Sequence, residues 1–102
     1  MTDMKMVDPP MPDARLRVPE RVLMRRVGEE QVLLNLADET YYGLNPVGSR
    51  LIELANGGAT LGEIIDRLHA EFEVEHGQLT IDVRRIAAEL IAAGLIELGI
   101  EE

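Results

Sequence analysis

Cysteine is missing from this 102-residue chain. Its absence excludes a disulfide framework and all thiol chemistry, and it fits a reducing compartment. Tryptophan is absent too, and one Phe and two Tyr are the only aromatic residues other than His. The core must therefore be aliphatic, assembled from Leu, Ile, Val and Ala. Long apolar runs are lacking: no stretch approaches bilayer length, and the opening "MTDMKMVDPPMPDA" has no continuous apolar segment of the signal-peptide kind. These features lead to the expectation of a soluble, cytoplasmic protein. Positive charge is also scarce. A net charge of −9 opposes general binding to nucleic acid or anionic membrane, both of which depend on Lys and Arg.

What is present suffices for one small domain and one core. Residues 1–14 are rich in Met, Pro and Asp without periodicity, which predicts a flexible N-terminal tail before a domain over 15–102. From Val22, the runs "VLMRRV", "VLLNLA" and "YYGL" alternate with short polar turns. That pattern predicts three antiparallel strands. After Asn45 the period changes from two to 3.6. Asn45 caps and Pro46 opens a first helix, with Val47, Leu51, Leu54 and Ala55 on one face, and Asn56-Gly57-Gly58 closes it. Thr60 and Glu63 form a capping box for a second helix carrying Leu61, Ile64, Ile65, Leu68 and Phe72. A third helix is expected from Leu79 or Thr80 to Gly94, its core stripe being Leu79, Val83, Ile86, Ala87 and Leu90. "LIEL" at 95–98 adds a short strand or seals the core. The expected class is α+β: a winged helix-turn-helix-like fold with a three-stranded antiparallel sheet followed by a three-helix bundle.

Catalytic chemistry finds few candidates. There is no GxSxG and no phosphate-cradling glycine loop. His69, Glu73 and His76 lie within two helical turns, but two His and one carboxylate at a helix end read as solvated surface. No catalytic residue, metal or cofactor is expected. The winged-helix order raises DNA binding as one alternative. The third helix, however, mixes Arg84 and Arg85 with Asp82 and Glu89 in an acidic chain.

Two other features point to a peptide. In sequence order, Thr40, Tyr41, Tyr42, Gly43 and Leu44 fall on an edge strand with no charge, proline or bulge to blunt it. Gly43 removes bulk where another chain approaches. Away from its core stripe the third helix carries Ile81, Arg84, Arg85, Ala88 and Ala92, with Ile91 and Leu95 at the boundary. Alanines there admit a second backbone, and guanidiniums pair with carboxylates. Strand addition beside that helix is the expected mode. Self-association through the same edge, as a monomer or weak homodimer, is the other reading of an open strand.

"LLNLADETYYGLNPVGSRLIEL", "ATLGEIIDRL" and "DVRRIAAELIAAGLIEL" resemble the PqqD family of small recognition elements for ribosomally made, modified peptides. The likeness spans roughly residues 20–98 and is most specific at "YYGLNPVGSRL". It implies non-catalytic binding of a precursor's leader segment, which adds as a strand to the third strand and packs on the third helix. Delivery to a leader peptidase or other modifying enzyme follows. Carried onto this chain, the site is Thr40, Tyr41, Tyr42, Gly43 and Leu44 with Arg84, Arg85, Ala88, Ile91 and Ala92. "YYGLNPVG" looks closest to the stand-alone proteins of lasso-peptide pathways. A PQQ-type chaperone working with a radical-SAM enzyme is the alternative within the family.

Overall fold

A computed structural model describes residues 12–99. Residues 1–11 of the expected tail lie outside the described residues. The chain runs β1 (Leu16–Arg17), β2 (Val22–Val27), β3 (Glu30–Asn35), β4 (Thr40–Gly43), α1 (Pro46–Asn56), α2 (Leu61–Glu71), α3 (His76–Ala92) and β5 (Glu97–Leu98). The main sheet is antiparallel in the order β2-β3-β4, and three helices follow it, as the sequence pattern predicted. Gly28, at φ 65°, makes the two-residue turn between β2 and β3, whose last pair is Val27 with Glu30.

Local signals set the helix ends. Asn45 Oδ1 accepts from the Gly48 amide at 2.8 Å with Pro46 in the first turn, and Thr60 and Glu63 exchange both bonds of a capping box. α3 begins three to four residues earlier than expected. Glu75 caps it, its carboxylate accepting from the Gln78 amide at 2.8 Å. Thr80, one of the two expected starting residues, donates its hydroxyl to the His76 carbonyl inside the helix. Gly94, at φ 76°, follows the last turn and releases the chain into β5.

β5 pairs with β1 through Leu16 with Leu98 and Arg17 with Glu97, a second, two-stranded sheet that the sequence pattern only half disclosed. "LIEL" does both things proposed for it: Leu95 and Ile96 are buried while Glu97 and Leu98 pair. The core is aliphatic, with Leu16, Leu33, Leu51, Ile52, Leu61, Ile64, Leu68, Val83 and Ala87 fully buried. Before α2, the Pro12 and Ala14 carbonyls accept from the Gly62 and Leu61 amides. Among the described residues, no helix is long and apolar enough to cross a membrane.

Candidate peptide-binding groove

Among the described residues β4 pairs with β3 alone, so its other side is a free edge there. The Leu44 amide donates to the Gln31 carbonyl at 3.0 Å. In an antiparallel ladder, exchange pairs alternate, so Tyr42 faces its partner Leu33 in the same way. Tyr41 and Gly43 therefore turn their N–H and C=O groups towards the open edge. Side chains alternate as well: Tyr42 packs towards the core, whereas Tyr41 stands out in solvent.

A polar clamp fixes the end of this strand. The Gln31 amide donates to Ser49 Oγ at 2.7 Å, and the Ser49 hydroxyl donates to the Leu44 carbonyl at 3.0 Å. Together with the Leu44–Gln31 bond, this joins β3, the end of β4 and the first turns of α1 in one closed circuit. Ser49 and Gln31 are both buried, so each bond removes a donor or acceptor that water cannot reach. Gly48 lets the strand end come close: a Cβ there meets Asn45 Oδ1 at 3.3 Å and Leu44 Cβ at 3.5 Å.

Beside this strand end runs a cavity of about 220 Å³. One wall is Gly43, Leu44, Asn45 and Gly48; the other is Arg85, Ile86, Glu89 and Leu90 of α3. Leu44, Ile86 and Leu90 bring apolar side chains to it, and Arg85 and Glu89 bring charge. Arg85 lies between Glu89 at 3.5 Å and Asp82 at 3.7 Å, long and exposed contacts worth at most about 1 kcal/mol. Its guanidinium can leave them for a better carboxylate.

Of the residues singled out in the sequence, Gly43, Leu44 and Arg85 meet in this cavity. Thr40, Tyr41 and Tyr42 continue the same strand away from it. Arg84, Ala88, Ile91 and Ala92 do not line it: Ile91 packs against the core, Arg84 and Ala88 are half-buried, and Ala92 is exposed. Asn45, Gly48, Ile86, Glu89 and Leu90 were not read as site residues. Gly48, inside the first turn of a capped helix, was the one sequence signal of a close approach there.

At the far end of α3, the His69 and His76 rings meet edge to face with centroids 4.7 Å apart, joining α2 to α3. Among the described residues, no group of three His, Cys, Asp or Glu is placed to hold a metal.

The family model described as "Coenzyme PQQ synthesis protein D (PqqD)" matches residues 30–96. No curated protein sequence matches the chain. Two solved structures are similar. "TbiB1 in Complex with the TbiA(beta) Leader Peptide" is 32% identical, with a TM-score of 0.75 over 84% of this chain and 99% of that one. "Lasso peptide synthetase B1 complexed with the leader peptide" is 20% identical, with a TM-score of 0.71 over 80% of this chain and 96% of that one, a likeness of fold.

Proposed function

The chain belongs to the PqqD family, and on that footing we propose that it is a non-catalytic recognition module for the leader segment of a ribosomally made precursor peptide. The observation that carries the reading is the open edge of β4 running into the cavity beside α3. The similar TbiB1 structure is itself a leader-peptide complex, which supports the same ligand class here. The leader adds as a strand, bonding to the outward N–H and C=O groups of Tyr41 and Gly43. One of its side chains fills the cavity over Leu44, Ile86 and Leu90, and an acidic leader residue takes Arg85 from its weak partners. Thr40 and Tyr42 hold the strand; Arg84, Ala88, Ile91 and Ala92 supply the flank of α3 beyond the cavity. The loaded protein then presents the precursor, in the cytoplasm and as a monomer or weak homodimer, to a leader peptidase of a lasso-type pathway.

Magnitudes divide the work. Strand hydrogen bonds contribute about 0.5–1.5 kcal/mol each. A flexible ligand loses on the order of 4–15 kcal/mol on association, before its own ordering. Backbone pairing alone is therefore weak, and apolar anchors worth about 1.5–3 kcal/mol each must supply the affinity. The DNA-binding alternative gains nothing from the structure: Arg85 lies between two carboxylates on the helix that must enter the groove.

The test is an NMR titration of labelled protein with a synthetic leader from the neighbouring precursor gene. Shifts along Thr40–Leu44 and Arg85–Leu90 are expected. Shifts confined elsewhere reject the groove, and no shifts in a folded protein reject the leader as ligand.

A further inference from the structure

A second cavity, of about 180 Å³, lies between the turn that joins β2 to β3, the first turns of α1 and the end of α2. Arg26, Glu29, Ser49, Arg50, Glu53 and Glu71 are among its walls. Three carboxylates thus face two guanidiniums, and both guanidiniums are engaged. Arg26 holds Glu53, and Arg50 holds Glu71 and Glu53. Glu29 makes no ion pair or hydrogen bond among the described residues, so one negative charge is left over.

Gln31 adds an independent sign of a missing donor. It is 6% exposed and is tied to two of the walls: its backbone amide donates to Ser49 Oγ, and its Nε2 donates to Glu53 at 2.7 Å. Its Oε1 is buried with no donor. Turning the side-chain amide over gives no relief, because Oε1 would then meet the Glu53 carboxylate. Buried acceptors ordinarily have partners. The cavity therefore has acceptors to offer and lacks a cation, and Pro46 and Phe72 supply apolar wall for the stem of a long side chain.

We infer that this cavity takes one lysine or arginine side chain of the precursor, from the stretch that runs on past Leu44 where the paired strand ends. The inference rests on the leader-binding reading and names a second subsite for the same peptide. Continuity selects this occupant. Asn45 and Gly48 line the groove's cavity, whereas Pro46 and Ser49 line this one, so only the first turn of α1 separates the two. A helix is about 10 Å across, which three extended residues span at about 3.3 Å each. An exposed ion pair holds a free cation poorly. A side chain on a peptide already captured by β4 arrives at high effective concentration and needs no more than that. A second copy of the chain, at −9, is repelled.

The experiment uses the full chain and the synthetic leader from the neighbouring precursor gene, with each lysine and arginine near its strand-forming stretch replaced in turn by glutamine. One replacement should weaken binding to wild-type protein about tenfold. It should also abolish the leader-induced shift of the Gln31 side-chain amide signals. Glu29→Arg, in an exposed turn, should weaken the unaltered leader to the same extent, and glutamate at that leader position should restore it. Added salt should shrink both losses. Normal binding by Glu29→Arg overturns the inference, as does a leader that binds equally well without any one of its cations. A loss in Glu29→Arg that no leader position restores is a general charge effect and overturns it too. Leader shifts along Thr40–Leu44 with none at Gln31 reject this cavity and keep the groove, whereas the absence of both rejects the groove as well.

Discussion

At one edge of the three-stranded sheet, β2 carries Arg25 and Arg26, and Arg26 reaches across to Glu53 of α1. At the other edge, β4 reads Thr-Tyr-Tyr-Gly and carries no charge. Both strands expose one side of their backbone, so both risk pairing with another chain. Only β2 is guarded. A cavity lined by Arg26 and α1 residues lies on the guarded side too, but ion pairs of Arg26 and Arg50 with Glu53 and Glu71 ring it; the unguarded edge runs into the cavity walled by α3. Protection is missing where a strand has a place to sit, and this difference gives the β4 edge its functional reading.

Destroying the openness of β4 tests that contrast most severely. Gly43→Glu places a charged side chain where the fold leaves empty space, with no backbone strain to unfold the monomer. Leader affinity should fall on the order of 100-fold, or ~2.7 kcal/mol, in a fluorescence polarisation assay. The thermal midpoint should hardly move. Normal binding by this variant removes β4 from the site.

Ser49→Ala attacks the same edge from behind. It leaves the buried Gln31 amide without its acceptor and releases the Leu44 carbonyl. Stability should drop by about 1–3 kcal/mol, read from urea denaturation. Amide exchange should quicken at Leu44, the residue that joins the strand to the cavity. Loss of stability with no change at Leu44 would mean that the clamp serves the core alone.

The unblunted β4 edge was legible in the sequence because it depends on neighbouring residues. Alternation gave the strands, and Asn45-Pro46, Thr60 with Glu63, and Gly94 gave the helix ends. The start of α3 escaped because a glutamate is a less usual cap than Ser, Thr, Asp or Asn, and the apolar stripe that marks the helix begins only at Leu79. The β1–β5 pair escaped for another reason. Two residues near each end of the chain have no pattern of their own and meet only once the helices have packed. The groove was half legible. A helical wheel separates the core stripe of α3 from its solvent side, but not which flank turns towards β4. The structure turns Arg85, Ile86 and Glu89 there, not Arg84 and Ala88.

On the guarded side, Arg26→Ala should do what Gly43→Glu does not. It removes one of the partners of Glu53, which keeps Arg50 and Gln31, so the loss should be about 1 kcal/mol of stability. Leader affinity should stay as it was. With a charge gone from the edge of β2, light scattering over a concentration series should show more self-association. Weaker leader binding instead would mean that the two edges are not independent.

Acid should reach both sides of the sheet, and with the smallest effect. On the β2 side, the Arg50 hydrogen bond holds the Glu71 carboxyl below its ordinary value, and Arg50 in turn touches Glu53, the partner of Arg26. On the β4 side, the Gln78 and Gly77 amides lower Glu75, which caps the helix that walls the groove. Each group binds its proton less readily folded than unfolded. Its contribution is therefore complete above the ordinary carboxylate value of 4.5 and is lost as pH falls through the lower folded value. Both groups face solvent, so the loss is shallow. Between pH 7 and pH 3 the thermal midpoint should be flat at first and decline only at the acid end. Glu75→Gln should remove part of that decline and fray the first turn of α3, visible in the amide signals of Gly77 and Gln78. Glu71→Gln should remove another part and leave α3 unchanged. If Glu71→Gln also disturbs those amides, the two sides of the sheet are coupled through the junction of α2 and α3, where His69 and His76 touch.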